Sequence, residues 1–307
     1  MSRLTLILAL AMSLITPALA QAAPISFSDL LARPRAHADH RVAYGPDALQ
    51  FGDLWLPATK GPHPVVILIH GGCWRADLPG LELMDYMAAD LKASGLAVWN
   101  LEYRRIGHEG GGYPGTFQDV AAGIDHLARL AAPYDLDLTR TVVSGHSAGG
   151  HLAVWALSRP RLPLTSILAG KEAVSPRAAI ALAGIVDLEA YHADGPDACG
   201  GPGTIDSLVG AAVAAGRDVY ADTSPPRVLP LGRAQVIISG QLDPIVPSRF
   251  GAAYGAKAQT AGDAVEILDL PAAGHFELID PTSTAWPTIR EAIASRLGRP
   301  ARHQARP

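Results

Sequence analysis

The sequence predicts an α/β fold with a doubly wound, mostly parallel central sheet. Strand-like and helix-like segments alternate along most of the chain, as they do when helical crossovers join parallel strands. Some strand-like segments, such as Val65–Ile69, are apolar throughout, which is expected when helices cover both faces of a sheet. The 307 residues are 49% hydrophobic and 18% charged, a composition that suits a globular protein with a large core.

The individual elements can be predicted in chain order. Residues 41–44 and 50–56 flank a Gly-Pro-Asp turn signal and predict a hairpin that opens the domain. The apolar spacing then predicts strands at 65–69, 97–101, 141–143, 178–183, 235–239 and 265–270, and helices at 81–94, 116–132, 150–157, 249–260 and 289–297.

One long segment interrupts this alternation. Residues 188–231 are rich in glycine and proline and are too long for an ordinary connection, which favours a lid over a functional site. A disordered insertion is the alternative. We therefore expect a single domain over residues 21–298 with a lid at about 188–231, followed by a frayed tail at 299–307.

The first twenty residues have the pattern of a secretory signal peptide. Met1-Ser2-Arg3 is followed by an apolar run and by Ala18-Leu19-Ala20, a small-residue cleavage site. A membrane anchor is the alternative, although the apolar run is shorter than the ~20 residues that span a bilayer. The sequence therefore predicts cleavage near Ala20, export to the periplasm or the medium, and no stable membrane span in the mature protein.

A candidate nucleophile lies where a predicted strand meets a predicted helix. Residues 145–149 read Gly-His-Ser-Ala-Gly, the G-x-S-x-G pattern of a nucleophile elbow in the strand-to-helix context that it requires. A serine hydroxyl is a weak nucleophile unless a tight turn presents it to a base. We therefore predict Ser147 as the nucleophile, with an ordinary turn serine as the alternative.

The base and its orienting acid are expected after later strands, in the order Ser, Asp, His. His275 follows the strand at 265–270 in a glycine-containing loop, whereas His151 and His192 occupy a helix and the start of the lid. Asp243 follows the strand at 235–239 in a loop stiffened by prolines, and Asp187 competes with it for the role of the acid. We predict His275 as the base and Asp243 as the acid.

A loop for binding the oxyanion is predicted after the strand at 65–69. It reads His-Gly-Gly-Cys-Trp at residues 70–74, and its glycines let the main chain approach a substrate. We predict N–H donors at Gly72, Cys73 and Ala148, with a purely structural glycine turn as the alternative. Cys73 and Cys199 are the two cysteines of the chain, and the sequence leaves open whether they pair.

These motifs resemble the α/β-hydrolase superfamily, in the esterase/lipase branch that includes acetyl esterases, hormone-sensitive-lipase relatives and arylformamidases. The resemblance spans about residues 50–297 and is carried by H-G-G-x-W at 70–74, E-Y-R-R at 102–105, G-H-S-A-G at 145–149 and G-H-F at 274–276. It implies an acyl-enzyme mechanism that uses no metal or cofactor. Cys73 and the lid depart from the pattern, so the resemblance does not extend to the substrate.

We therefore expect a serine hydrolase that cleaves small-molecule carboxylic esters. An arylformamidase-like or peptidase-like amide hydrolase is the alternative, and a non-catalytic binding protein on the same fold is a more distant one. Trp74, Tyr103, Tyr113 and Trp155 are candidates for the substrate pocket. The net charge of −4, without a basic stripe, gives no indication of nucleic-acid binding, and the sequence does not indicate an oligomeric state.

Overall fold

The computed structural model describes residues 23–298, so the predicted signal peptide and the tail at 299–307 lie outside the described residues. Within this range the strands are β1 (His40–Ala43), β2 (Phe51–Trp55), β3 (His63–Ile69), β4 (Ala97–Leu101), β5 (Leu136–His146), β6 (Ala178–Leu182), β7 (Ala234–Gly240) and β8 (Val265–Leu270). The α-helices are α1 (Phe27–Leu31), α2 (Asp85–Ala93), α3 (Gly115–Leu130), α4 (Ala148–Ser158), α5 (Leu188–Asp194), α6 (Pro202–Val209), α7 (Ser248–Thr260) and α8 (Trp286–Leu297).

All eight strands form one sheet, in the order β1-β2-β4-β3-β5-β6-β7-β8. The β1–β2 and β2–β4 pairs are antiparallel, and the remaining pairs are parallel. The central strands are buried because helices cover them: α4 packs against β5 and β6, and α7 packs against β7 and β8. The predicted doubly wound, mostly parallel α/β fold is confirmed.

This topology places the predicted functional loops at one edge of the sheet. In a sheet of parallel strands the carboxyl ends lie side by side, and ligands bind in the crevice outside them. The 70–74 loop follows β3, Ser147 follows β5, Asp243 follows β7 and His275 follows β8. Four loops that are far apart in the sequence therefore meet at the same edge.

The lid predicted at residues 188–231 is largely helical. It contains α5, α6 and three short 3-10 turns, in place of the disordered insertion that the sequence left open. Between residues 23 and 298, no helix combines the length and the apolar character that crossing a bilayer demands.

Candidate active site

Ser147 occupies the turn between β5 and α4 with a backbone conformation that side chains rarely adopt. Its φ is 56° and its ψ is −120°, a strained combination for a residue with a Cβ. The turn is held from both sides, because Ser147 N–H donates to Leu182 O at 2.8 Å and Ser147 O accepts from Gly150 N–H at 2.9 Å. The serine side chain is thereby presented at the end of the strand and at the N-terminus of α4.

The glycines on either side of Ser147 are required by close packing. A Cβ on Gly145 would lie 2.0 Å from Gly149 O, and a Cβ on Gly149 would lie 2.1 Å from Ile69 O. Neither contact can be relieved by a side-chain rotation, because both involve backbone oxygens. The G-x-S-x-G spacing therefore follows from the geometry of the turn itself.

His275 and Asp243 form a buried hydrogen-bonded pair. His275 Nδ1 donates to Asp243 Oδ2 at 2.6 Å, and both side chains are almost completely shielded from solvent. The other carboxylate oxygen, Oδ1, accepts from the N–H groups of Ile245 at 2.7 Å and Val246 at 2.9 Å. These bonds fix the carboxylate, which in turn fixes the tautomer that leaves Nε2 of His275 free to accept a proton.

Ser147 and His275 line the same cavity. No hydrogen bond joins their side chains among the residues that the structure describes. Bonds between a nucleophile and its base are often long in the absence of substrate and tighten in the substrate complex. The arrangement is therefore compatible with proton transfer from Ser147 to His275 once a substrate is bound.

The three N–H groups predicted for the oxyanion hole are unused. Within residues 23–298, the N–H groups of Gly72, Cys73 and Ala148 donate to no protein acceptor. Gly72 and Cys73 have φ values of 92° and 50°, so the main chain turns sharply where it borders the cavity beside Ser147. Free donors beside a nucleophile are the arrangement that stabilises a developing oxyanion.

A buried ion pair between His70 and Glu102 supports the 70–74 loop. His70 Nε2 contacts Glu102 Oε1 at 3.0 Å, and His70 Nδ1 donates to Gly71 O at 2.8 Å. Burial raises the pKa of Glu102, but the charge and hydrogen bond of His70, together with Arg105, outweigh it and lower the pKa to about 2. The Tyr103 ring stacks on His70 with centroids 4.4 Å apart, and its hydroxyl donates to His70 O at 2.9 Å.

A disulfide joins the same loop to the lid. Cys73 and Cys199 are bonded, with their Cα atoms 5.4 Å apart, so the pairing that the sequence left open is formed. Cys199 lies in the lid beside Ala198, which lines the cavity together with Cys73. The bond thereby ties one wall of the cavity to the residue whose N–H is predicted to bind the oxyanion.

His146, which precedes the nucleophile, is a site residue that the sequence analysis missed. Its Nε2 lies 3.0 Å from His275 O, and because a carbonyl only accepts, Nε2 carries the proton. Burial, followed by the neighbouring His275, lowers the pKa of His146 well below its usual value, so the ring is neutral. The centroids of the His146 and His275 rings lie 4.4 Å apart. His146 therefore packs against the predicted base and helps to hold it in position.

The cavity beside Ser147 is small and mainly hydrophobic. Its volume is about 110 Å³, and apolar side chains from five separate segments form its walls. These side chains are Phe27, Leu78, Pro79, Leu83, Ala198, Ile245 and Phe276. Sequence reasoning did not identify them, because nothing local distinguishes them from ordinary core residues.

The aromatic residues predicted for the substrate pocket lie elsewhere, which corrects that prediction. Trp74, the last residue of the 70–74 loop, is completely buried, and so is Tyr103, which stacks on His70. Tyr113 borders a different surface cavity, where its hydroxyl donates to Asp222 Oδ2 at 3.0 Å. Trp155 is buried in α4 and donates to Asp222 O at 2.9 Å. All four aromatic rings pack or brace the fold and do not line the cavity beside Ser147.

The competing candidates have structural roles. Asp187 caps α5 by accepting from Ala190 N–H at 3.0 Å, and it pairs with Lys257 at 2.6 Å. His151 is buried and donates to a lid carbonyl, whereas His192 pairs with Asp206 at 3.1 Å. In the part of the chain that the structure describes, no three His, Cys, Asp or Glu residues are grouped so that they could hold a metal ion.

Comparison with known families shows which family the chain belongs to. The BD-FAE family profile matches residues 53–255, which is more than half of the chain. The chain belongs to the BD-FAE family. This is an esterase family of α/β-hydrolases, so the chain is an ester hydrolase, and the predicted resemblance to the esterase branch is confirmed.

Individual relatives of this BD-FAE member are hydrolases. It is 27% identical over 263 residues to the kynurenine formamidase-like hydrolase fscH of Fusarium equiseti, covering 74% of this chain and 83% of that protein. It is 32% identical over 100 residues to the carboxylesterase NlhH of Mycobacterium tuberculosis, covering 32% of this chain and 30% of that protein.

Solved structures share the fold of this BD-FAE member. Esterase B from Lactobacillus Rhamnosis superimposes with a TM-score of 0.73 at 18% identity, covering 88% of this chain and 89% of that one. A truncated carbohydrate esterase from gut microbiota gives a TM-score of 0.68 at 21% identity, covering 86% and 98% of the two chains.

Proposed function

We propose that this protein is a serine hydrolase that cleaves small-molecule carboxylic esters through an acyl-enzyme, with Ser147, His275 and Asp243 as its catalytic triad. The single observation that carries the proposal is the His275–Asp243 hydrogen bond of 2.6 Å beside the cavity that Ser147 also lines. An imidazole held by a buried carboxylate, next to a serine on a strained turn, is the arrangement that activates a hydroxyl.

In the first half-reaction, Ser147 Oγ attacks the ester carbonyl and its proton passes to His275 Nε2. The carbonyl oxygen becomes an oxyanion, which accepts hydrogen bonds from the N–H groups of Gly72, Cys73 and Ala148. His275 then returns the proton to the alcohol, which leaves, and the acyl group remains on Ser147. Water attacks this acyl-enzyme in the second half-reaction, with His275 again serving as base and then as acid.

The size of the cavity favours short acyl groups. An apolar cavity of about 150 Å³ accommodates a benzene molecule, whereas the cavity beside Ser147 measures about 110 Å³. Its walls are apolar, so an aliphatic acyl chain gains hydrophobic contact there and a charged group does not. We propose esters with acyl chains of about two to four carbons as preferred substrates.

Formamide hydrolysis is the second candidate reaction. It is favoured by one observation, the similarity to a kynurenine formamidase-like hydrolase over 83% of that protein. A formyl group is smaller than acetyl and would enter the same cavity. A serine nucleophile can form an acyl-enzyme from an amide as well as from an ester, with an amine in place of the alcohol as the leaving group.

We also propose that the protein acts outside the cytoplasm after cleavage near Ala20. The support is the charged start, apolar run and small-residue cleavage pattern of residues 1–20. A disulfide between Cys73 and Cys199 agrees with an oxidising compartment. Sequencing the N-terminus of the protein recovered from a periplasmic extract tests this, and recovery of uncleaved protein in the cytoplasm would contradict it.

A fluorophosphonate probe tests the nucleophile directly. The wild-type protein should be labelled at one residue, and Ser147→Ala should abolish the labelling. Ser144→Ala serves as the matched control, because Ser144 is buried in β5 three residues before Ser147 and does not line the cavity. Absence of labelling in folded wild-type protein would favour the non-catalytic alternative.

A substrate panel then separates the candidate reactions. Nitrophenyl esters with two to eight acyl carbons and N-formylkynurenine would be compared by kcat/KM at equal enzyme concentration. The proposal requires an ester optimum at two to four carbons. A kcat/KM for N-formylkynurenine that exceeds the best ester by more than about tenfold would instead assign the protein as a formamidase.

A further inference from the structure

The segment from residue 24 to residue 31, called the N-terminal arm below, is attached to the loop that carries His275. Ile25 N–H donates to Glu277 Oε1 at 2.7 Å. The other oxygen of the same carboxylate, Oε2, accepts from Gly274 N–H at 3.0 Å. One side chain therefore bridges the arm and the residue that precedes His275.

The arm is a defined structural unit in close contact with the rest of the protein. A Cβ on Gly274 would lie 2.5 Å from Pro24 Cβ, so the proline ring packs directly against the Gly274 backbone. Ser26 and Asp29 form a capping box that starts α1, and Leu30 is completely buried. These contacts hold α1 in one position beside the candidate active site.

Phe27 is the residue through which the arm reaches the cavity. Its side chain lines the cavity that Ser147 and His275 share. Its ring meets Phe276 edge to face, with centroids 6.1 Å apart. Because Phe27 is also 38% exposed, its side chain borders both the cavity and solvent.

The arm lies outside the part of the chain that the BD-FAE profile matches, which begins at residue 53. We infer that the N-terminal arm is a specificity-determining wall of the active site, in which Phe27 sets the longest acyl chain that the cavity accepts. The inference rests on the proposed esterase function. The substrate class that it defines is esters of short aliphatic acids, with longer chains excluded by the Phe27 ring.

Phe27→Ala tests this inference through a ratio of substrates. Removing the ring opens the wall between the cavity and solvent, so additional methylenes of a longer chain find space. Each methylene that packs into an apolar pocket, or is excluded from it, changes kcat/KM by about 10- to 200-fold. We expect the ratio of kcat/KM for nitrophenyl octanoate to that for nitrophenyl acetate to rise at least about tenfold.

Leu31→Ala is the matched control. Leu31 lies in the same helix and is partly buried, but it does not line the cavity. It should leave the octanoate-to-acetate ratio unchanged, although it removes apolar contact from the arm. A change in the ratio of similar size in Leu31→Ala would show that loosening of the arm, and not the Phe27 ring, is responsible.

A second variant keeps the test valid if Phe27→Ala fails to fold. Phe27→Trp enlarges the side chain, so the ratio of butanoate to acetate should fall by at least about threefold. If the wild-type protein hydrolyses esters and a folded Phe27 variant shows unchanged kcat/KM ratios, this inference alone is overturned. Absence of hydrolysis of every ester by wild-type protein would overturn the proposed function together with it.

Discussion

Removing the disulfide is the perturbation whose effect on stability can be worked out from the structure. Cys73 and Cys199 are separated by 126 positions, so their bond closes a large loop in the unfolded chain. In the chain-entropy description, a loop of this length stabilises the folded protein by about 4 to 5 kcal/mol. We therefore expect Cys199→Ser to lower the free energy of unfolding by up to this amount, a large part of the total for an ordinary domain.

The assay is thermal unfolding followed by circular dichroism. A loss of 4 to 5 kcal/mol corresponds to a fall in Tm of about 10 to 15 °C for a domain of this size. A phosphine reductant added to the wild-type protein should give the same fall, and it should not affect Cys199→Ser.

Thr204→Ala is the matched control for this measurement. It keeps the bridge but removes the hydrogen bond from Thr204 Oγ1 to Cys199 O, which is 2.7 Å long. The expected cost is about 1 kcal/mol. If Cys199→Ser were no less stable than Thr204→Ala, the reasoning from loop closure would be refuted.

Three further predictions concern the site and its surroundings. Asp243→Asn should lower kcat by about 10⁴-fold while the fold is retained, because the amide no longer holds the required tautomer of His275; the check is steady-state kinetics on the best ester. His146→Leu removes the hydrogen bond to His275 O and should lower kcat about tenfold with little change in KM, and partial recovery in His146→Gln would distinguish loss of the bond from general disruption. Burial raises the pKa of Asp85 to about 7, so this group contributes stability below about pH 4 that is lost as the pH rises through 7. Asp85→Asn should therefore be more stable than the wild type by up to about 4 kcal/mol at pH 8 and nearly equal to it at pH 4, as measured by urea unfolding at both pH values.

The sequence predicted the sheet well where the signal is local. The strand at 265–270 has the predicted bounds, because an apolar pattern between turn residues is sufficient to define a strand. The strand before the elbow is longer than predicted and begins at Leu136, because its first half is polar and partly exposed and so carries no apolar run. The predicted elbow lies where β5 meets α4. It could be predicted because the backbone geometry of the turn requires its glycines.

The walls of the cavity could not be predicted from the sequence. The aromatic residues near the motifs were the natural candidates, yet Trp74 and Tyr103 are completely buried and do not line the cavity. Phe27 lies far from every motif in the sequence and reaches the cavity through contacts with the His275 loop. Such contacts join residues more than 200 positions apart, and no periodicity within one segment encodes them.

The backbone strain of the site has a consequence for catalysis. Ser147, Cys73 and Trp74 are three non-glycine residues with φ between 50° and 56°, each of which costs about 1 to 3 kcal/mol of folding stability. The surrounding structure must offset this cost. Disulfide bonding at Cys73 and the hydrogen bonds of the Ser147 backbone contribute to that.

Because this cost is met when the protein folds, the N–H donors and the hydroxyl already face the cavity before a substrate arrives. A donor that is already oriented stabilises the oxyanion without further reorganisation, which is why one such donor contributes about 3 kcal/mol to lowering a barrier. Under the proposed mechanism, the strain at these three positions therefore reduces folding stability in favour of catalytic rate. Cys73→Gly would relax φ at one of these positions, but it also removes the disulfide, so we expect a net loss of stability together with a lower kcat.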